Sequence, residues 1–162
     1  MNVVYLPLQK STGDGDVDEF LKEITVMKPL THPNILLLLG ACVSPTGLYI
    51  ITEFMTKGSL YNILHDDVIN RGNKNHKPIE KPSLEQRLKL LLDAAKGMLY
   101  LHTLKPPIIH RDLKTQNLLV DEYWRGKICD FGLSRIKATE TMSRLGTIQV
   151  WTYFIYMEAE LR

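Results

Sequence analysis

The chain has 162 residues, of which 44% are hydrophobic and 23% charged, a composition typical of a globular protein with one sizeable core. Its formal net charge of +2 gives no indication of binding to nucleic acid or to an anionic membrane. The two cysteines, Cys42 and Cys129, form no CxxC or Cys/His cluster, so we expect a reduced cytoplasmic protein rather than a disulfide scaffold or zinc site. The sequence predicts neither a secretory signal nor a membrane span.

The first part of the chain predicts a small antiparallel sheet and one helix. The opening NVVYLPL has the composition of a strand, and a helix capped by Asp16 or Asp18 is expected to run to about Lys28. One face of this helix is apolar at helical spacing, at Phe20, Ile24 and Met27. The segments ILLLLGAC and LYIITEF predict two strands joined by the turn SPTG, hence a hairpin.

The second part of the chain is led by helices. The segment TKGSLYNILH predicts a short helix, and residues 66–82 are polar and unpatterned, as in a surface insertion. Ser83 and Gln86 form a capping-box pattern before the clearest helix. The apolar stripe predicted for it comprises Leu84, Leu88, Leu91, Ala95, Met98 and His102, widened by Leu92 and Leu99.

This order of elements predicts an α+β fold with two lobes. Residues 1–54 would form a small lobe with an antiparallel sheet and one helix, and residues 55–162 an incomplete helical large lobe. A cleft is expected between them, near Thr52 to Gly58.

Two acidic or glycine-rich patterns near the N-terminus do not indicate sites. Asp14 to Asp18 resembles the start of a calcium loop, but Glu19 and Thr25 stand where that loop needs Gly and Glu. Gly13 and Gly15 are half of a phosphate-binding loop, for which a turn is the better interpretation.

The segment PPIIHRDLKTQNLLV places five polar side chains between two apolar runs. Asp112, Lys114 and Asn117 lie within six residues, and a second acid, Asp130, follows in KICDFGLSR. Two carboxylates, an amide oxygen and an ammonium suit a polyphosphate bound to Mg²⁺, since this cation prefers oxygen ligands and a transferring phosphoryl group needs positive charge.

These motifs resemble the eukaryotic protein-kinase family. HRDLKTQN is similar to its catalytic loop, DFG to its metal-binding motif, and FLKEITVM to its regulatory helix. Four segments are most similar to the tyrosine-kinase-like group, especially the Raf-like and mixed-lineage serine/threonine kinases. They are HPNILLLLGAC, GSLYNILH, GMLYLH and CDFGLSR. The lysine two residues after the catalytic Asp is the serine/threonine pattern.

The resemblance implies catalytic roles for the polar loop. Asp112 would orient the substrate hydroxyl, Lys114 would neutralise charge on the γ-phosphate of ATP, and Asn117 and Asp130 would hold Mg²⁺. His110 would be a packed core histidine in an apolar column, stacked with Phe131, Leu38 and Met27.

The resemblance also implies a nucleotide pocket. Thr52 would be the gatekeeper, Glu53 and Met55 would offer backbone groups to adenine, and Leu119 would lie beneath the ring. Glu23 would pair with a strand lysine. Cys129 would face this pocket, although a small buried hydrophobic role is at least equally expected.

Three departures from the family pattern affect the expected activity. No glycine-rich loop precedes the first strand, and the offset from Glu23 that should give the strand lysine gives Tyr5, with Lys10 as the nearest substitute. After Gly146-Thr147 the chain runs IQVWTYFIYMEAELR, with Ala159 where the family has Pro. The chain therefore resembles a kinase-domain fragment that is inactive alone.

The expected function is ATP- and Mg²⁺-dependent phosphorylation of Ser or Thr in protein substrates, with a homo- or heterodimer of kinase domains as a further expectation. A pseudokinase acting as a binding module and a degenerate gene remnant are the alternatives. The activation segment would carry its phosphorylation sites among Thr139, Thr141 and Ser143.

Overall fold

The structure is a computed structural model that describes residues 3–7, 14–44, 47–66, 70, 78–132 and 134–136. Within these residues the fold is α+β, as predicted. The helices are α1 (Asp14–Met27), α2 (Leu60–Leu64), α3 (Leu84–Thr103) and a 3₁₀ turn (Thr115–Asn117). The strands are β1 (Val3–Pro7), β2 (Leu38–Ser44), β3 (Gly47–Glu53), β4 (Gly58–Ser59), β5 (Ile108–Ile109), β6 (Leu118–Val120), β7 (Gly126–Ile128) and β8 (Arg135–Ile136).

The first sheet has the strand order β1-β3-β2, and both pairings are antiparallel. The predicted hairpin is confirmed, because β2 and β3 pair from Leu38↔Thr52 to Ser44↔Gly47. The middle of its SPTG turn lies outside the described residues. The strand predicted at the N-terminus is confirmed as β1, which pairs along the other edge of β3.

Helix α1 packs its apolar face into the core, as its spacing predicts. Phe20 and Met27 are buried, and Ile24 packs against the core cluster. The helix begins at Asp14, earlier than Asp16 or Asp18. All three acids are compatible with an early helical position, where a carboxylate interacts favourably with the helix dipole, so composition does not distinguish the first helical residue.

Helix α3 begins with the predicted capping box. The Ser83 hydroxyl accepts from the Gln86 N–H at 3.2 Å, and the Gln86 side chain accepts from the Ser83 N–H at 2.7 Å. These two bonds satisfy donors that the first turn leaves without helical partners.

The predicted apolar stripe of α3 is wrong, because most of it is not the buried face. The buried residues of the helix are Leu90, Asp93, Ala94, Gly97, Met98 and Leu101, so that Met98 alone of the predicted stripe is buried. Leu84, Leu88, Leu92 and Leu99 are between 53% and 64% exposed. The helix instead turns its Gly97 side toward the core, because the backbone of α3 approaches the segment at Asn34 closely there. A Cβ on Gly97 would lie 2.7 Å from the main-chain oxygen of Asn34.

A second sheet, with the order β4-β6-β7, combines one strand that precedes α2 and α3 with two strands that follow them, and β5 pairs with β8. Its strand β7 is tied to the segment before β2: the Ile128 N–H donates to Asn34 O at 3.0 Å, and the Leu36 N–H donates to Ile128 O at 2.9 Å. The loop between β5 and β6 is therefore attached to short strands at both ends, and this loop contains the polar HRDLKTQN sequence.

The ends of the predicted insertion at residues 66–82 are joined by Asp66. Its buried carboxylate accepts from the Ile79 N–H and from the Asn70 side chain, both at 2.9 Å. Most of the segment between Asp66 and Ile79 lies outside the described residues. So do other positions named above: Lys10, Thr139, Thr141, Ser143 and residues 148–162. Among the residues that are described, no helix is both long and apolar enough to cross a bilayer.

Candidate active site

The polar loop gathers three side chains at one carboxylate oxygen. Lys114 Nζ lies 2.6 Å from Asp112 Oδ2, and Asn117 Nδ2 donates to the same oxygen at 3.0 Å. Asn117 Nδ2 also donates to the main-chain oxygen of Asp112 at 2.9 Å. Because Asn117 is buried in the 3₁₀ turn before β6, it attaches the Asp112 carboxylate to the rigid end of the loop.

The hydrogen bond to Asp112 raises the pKa of Lys114 above its usual value, and the Asp130 charge raises it further. Lys114 is therefore fully protonated at neutral pH. Its side chain is 47% exposed, so its ammonium group lies at the surface of the site, where it can contact a bound anion.

His110 supports this loop from below and is a core residue, as the sequence predicts. It is fully buried, its ring meets Phe131 edge-on at 5.2 Å between centroids, and Nε2 lies 3.0 Å from Cys129 O. Nδ1 accepts from the Asp112 N–H at 3.3 Å, which makes Nε2 the protonated nitrogen. Burial lowers the pKa of His110, so the ring is neutral at pH 7.

Asp130 reaches the same region from the end of β7. The charges of Asp130 and Asp112 raise the pKa of Lys114 and partly offset the lowering of the His110 pKa by burial, which places both carboxylates in the neighbourhood of these two bases. The backbone of Asp130 is left-handed, with φ of 65°, and Arg111 has φ of 70°. Such strained non-glycine residues occur preferentially at functional sites.

Glu23 connects α1 to this region. Burial raises its pKa, the nearby Asp130 charge raises it further, and a hydrogen bond with the Phe131 backbone partly offsets both effects. As expected from the offset that gives Tyr5, the sequence VVYLP of β1 contains no lysine that could pair with Glu23. In that strand Tyr5 pairs with Ile51.

The residues predicted for the nucleotide pocket lie along the end of β3 and on β6. Thr52 and Met55 are buried, and the Thr52 hydroxyl donates to Glu53 O at 3.1 Å. Met55 O accepts from the Gly58 N–H, whereas the Met55 N–H has no hydrogen-bond partner within the described part of the chain. An unpartnered backbone N–H in a buried residue is uncommon, so this group is a candidate for a ligand contact.

One contact beside the predicted nucleotide pocket has no signal in the sequence. Lys127 Nζ lies 2.7 Å from Glu53 Oε1, and the same oxygen accepts from the Leu37 N–H at 2.8 Å. The three residues GKI of β7 are too few to show strand alternation, so the sequence does not distinguish a pairing lysine from a solvated one. No local signal in the sequence points to a partner 74 positions away.

Cys129 is half-buried, and burial together with the charges of Asp130 and Glu23 raises its pKa to about 12. A thiol with such a pKa remains protonated at neutral pH and is a poor nucleophile. This supports the structural interpretation of Cys129 over a reactive one.

The loop thus combines an oriented carboxylate, a neighbouring ammonium and a second acid close to the half-buried Glu23. The chain matches the family of protein tyrosine and serine/threonine kinases over residues 2–158. It belongs to that family.

Three relatives illustrate the similarity. "Serine/threonine-protein kinase CTR1" of Arabidopsis thaliana is 49% identical over 127 residues, which cover 78% of this chain and 14% of the relative. "Probable serine/threonine-protein kinase SIS8" of the same plant is 45% identical over 139 residues, or 86% of this chain and 12% of the relative. "Probable serine/threonine-protein kinase drkA" of Dictyostelium discoideum is 46% identical over 141 residues, or 86% and 20%. The chain thus spans a fifth or less of the length of these relatives.

Proposed function

We propose that this chain is the nucleotide-binding and catalytic-loop part of a serine/threonine protein kinase that transfers the γ-phosphate of ATP to protein hydroxyls with the help of Mg²⁺. The observation that carries this proposal is the geometry at Asp112. Its Oδ2 is held by Lys114 and Asn117, while Oδ1 has no hydrogen-bond partner among the described residues. Oδ1 is therefore the oxygen that accepts the proton of a substrate hydroxyl.

The metal-binding part of the proposal concerns Asn117 and Asp130. Both bonds of the Asn117 amide nitrogen go to Asp112, which leaves its amide oxygen available as a ligand. Asp130 is exposed and adds a carboxylate oxygen. An amide oxygen, one carboxylate and the phosphates of the nucleotide are a donor set that suits Mg²⁺, which retains waters rather than requiring a cage of protein ligands.

The nucleotide-binding part concerns the segment after β3. The unpartnered N–H of Met55 and the main-chain oxygen of Glu53 provide a donor and an acceptor for the edge of adenine, with Thr52 behind the ring and Leu119 beneath it. This interpretation places the division between the small and the large lobe at residues 54 and 55. Lys114, two residues after Asp112, and the names of the relatives support serine or threonine as the acceptor.

The test is binding of ADP to the purified 162-residue chain, measured by calorimetry with and without Mg²⁺. We expect weak binding that Mg²⁺ strengthens, and we expect Asp130→Asn to abolish the effect of Mg²⁺ while Glu122→Gln, on the exposed β6–β7 turn, retains it. Absence of ADP binding would overturn the proposed nucleotide site. ADP binding with an unchanged Mg²⁺ effect in Asp130→Asn would overturn the metal assignment.

A second candidate function is a kinase-like binding module without phosphate transfer. The observation that favours it is the absence of lysine from β1: within the described part of the chain, no cation is among the causes of the shifted pKa of Glu23. Such a module would bind nucleotide in the assay above but transfer no phosphate.

A further inference from the structure

We propose that Lys127 is a positioning residue for adenine recognition, because it fixes the orientation of Glu53 at the wall of the nucleotide pocket. This inference rests on the proposed nucleotide site and assigns its base specificity to an ion pair outside the catalytic motifs. The ligand class concerned is an adenine nucleotide, read by main-chain groups of Glu53 and Met55.

The ion pair between Lys127 and Glu53 differs from the other ion pairs of the described residues. The Lys127 side chain is 15% exposed, whereas the cations of the other pairs, Lys89, Lys114 and Arg125, are between 44% and 58% exposed. Those three pairs join residues at most four positions apart, but Lys127 and Glu53 are 74 positions apart. A pair that is shielded from water and joins distant segments constrains tertiary geometry more than an exposed local pair does.

Glu53 is held on several sides. Its Oε1 accepts from Lys127 Nζ and from the Leu37 N–H, its own N–H donates to Leu37 O at 3.2 Å, and its main-chain oxygen accepts from the Thr52 hydroxyl. Removing the ammonium would leave a partly buried carboxylate with a single donor, which favours rotation of the side chain toward water. The Leu37 bond to the side chain would then be lost, and the main chain leading to Met55 would be less restrained.

Lys127 is also the cross-strand neighbour of Leu119, which forms the proposed floor of the pocket. In the β6–β7 ladder it pairs with Leu119, the residue proposed to lie beneath adenine. The same strand β7 is bonded to Asn34 and Leu36. Lys127 therefore connects the wall of the pocket at Glu53 to its floor at Leu119, and the separation of wall and floor determines whether adenine meets the two main-chain groups.

The test compares the affinities of the 162-residue chain for ADP and for GDP, because guanine presents a different hydrogen-bonding edge. The variant Lys127→Met keeps the length of the apolar side chain and removes the charge. Lys89→Met is the matched control. Lys89 donates to Asp93 and to Trp124 O at 2.5 Å, so it supports the β6–β7 hairpin, which also carries Lys127, but it does not contact Glu53. Both substitutions weaken the hairpin, but only Lys127→Met affects Glu53.

We expect Lys127→Met to lower the affinity for ADP about tenfold, as expected for one misplaced hydrogen bond, and to reduce the ratio of ADP to GDP affinity. Lys89→Met should lower the melting temperature and leave that ratio unchanged. Lys127→Arg should restore most of the ratio. If Lys127→Met does not fold, Glu53→Gln provides the same test, because the amide retains an acceptor for Leu37 and loses the charge.

If the wild-type chain binds ADP and Lys127→Met shows the same ratio of ADP to GDP affinity, this inference is overturned and the proposed function stands. The same holds for Glu53→Gln if that variant replaces Lys127→Met. An equal loss of the ratio in Lys89→Met would also overturn it, because the effect would then reflect general weakening of the hairpin. Absence of ADP binding in the wild-type chain would overturn the proposed nucleotide site and this inference with it.

Discussion

Asn117 and Asp112 are joined by two hydrogen bonds from one amide nitrogen, at 2.9 Å to the main-chain oxygen of Asp112 and at 3.0 Å to its Oδ2. Asn117, one of the two proposed metal ligands, thus also orients Asp112, the proposed base. The proposed metal ligand and the proposed base are consequently joined directly, and phosphoryl transfer depends on such fixed positioning.

Replacing Asn117 should affect both stability and ligand binding. We expect Asn117→Ala to lower the free energy of unfolding by about 1–3 kcal/mol, because it leaves buried groups without partners. It should also remove the Mg²⁺ effect on ADP binding. Gln116→Ala, which changes an exposed neighbour, is the control in urea denaturation and in calorimetry. Equal stability of the two variants would contradict the anchoring role of Asn117.

Phosphate transfer by the isolated chain is expected to be undetectable. The site offers Asp112, Lys114, Asn117 and Asp130, but β1 supplies no lysine to hold the nucleotide phosphates. Loss of one preorganised charge donor typically reduces a rate by about 10²–10³. The measurement is transfer of labelled phosphate from ATP to a general serine/threonine substrate, with Asp112→Asn for comparison. Transfer by the wild-type chain that disappears in Asp112→Asn would contradict this expectation and would indicate that a lysine outside β1, such as Lys10, acts in its place.

His110 should make the stability of the chain depend on pH. Because burial lowers its pKa below the ordinary value of 6.5, the unfolded chain binds more protons than the folded chain between the two pKa values. The free energy of unfolding contributed by His110 is therefore complete above about pH 6.5 and decreases as the pH falls through this window. We expect His110→Gln to show a smaller loss of stability between pH 7 and pH 5 than the wild type in urea denaturation. Parallel pH profiles of the two proteins would show that His110 does not cause the dependence.

The proximity of the three polar side chains at Asp112 could be predicted from the sequence because it is local. Asp112, Lys114 and Asn117 lie within six residues, so their proximity hardly depends on the rest of the fold. The buried face of α3 could not be predicted, since apolar residues occupy most of its circumference and hydrophobic spacing alone does not select one face. What selects it is the close contact between Gly97 and Asn34 O, a tertiary feature.

The pairing of Lys127 with Glu53 was unpredictable for a related reason. The contact between them depends on how β7 lies against the segment before β2. Resemblance to a family supplies the polar motifs. It does not supply the contacts that hold those motifs in this chain.

The two cysteines should differ in reactivity. Cys42 is exposed, whereas the pKa of Cys129 is raised to about 12, so its thiolate is scarce at pH 8. We expect iodoacetamide to label one site on the folded chain and two sites in urea, as counted by mass spectrometry. Cys42→Ser should then show no label when folded and one in urea. Rapid labelling of folded Cys42→Ser would show that Cys129 is more accessible than the structure indicates.

The exposed leucines of α3 should cause the 162-residue chain to self-associate. Leu84, Leu88, Leu92 and Leu99 are each more than half exposed and follow one another at spacings of four to seven residues, so they form a continuous apolar strip on one side of the helix. The opposite side of the same helix is buried in the core, so turning the helix cannot hide the strip without exposing Leu90 and Leu101. We therefore expect sedimentation velocity to show oligomers whose fraction rises with concentration, and the double variant Leu88→Lys/Leu92→Lys to shift the distribution toward monomer with little change in melting temperature. Leu90→Lys, on the buried side, should instead abolish cooperative unfolding. A wild-type chain that remains monomeric at high concentration would contradict the prediction.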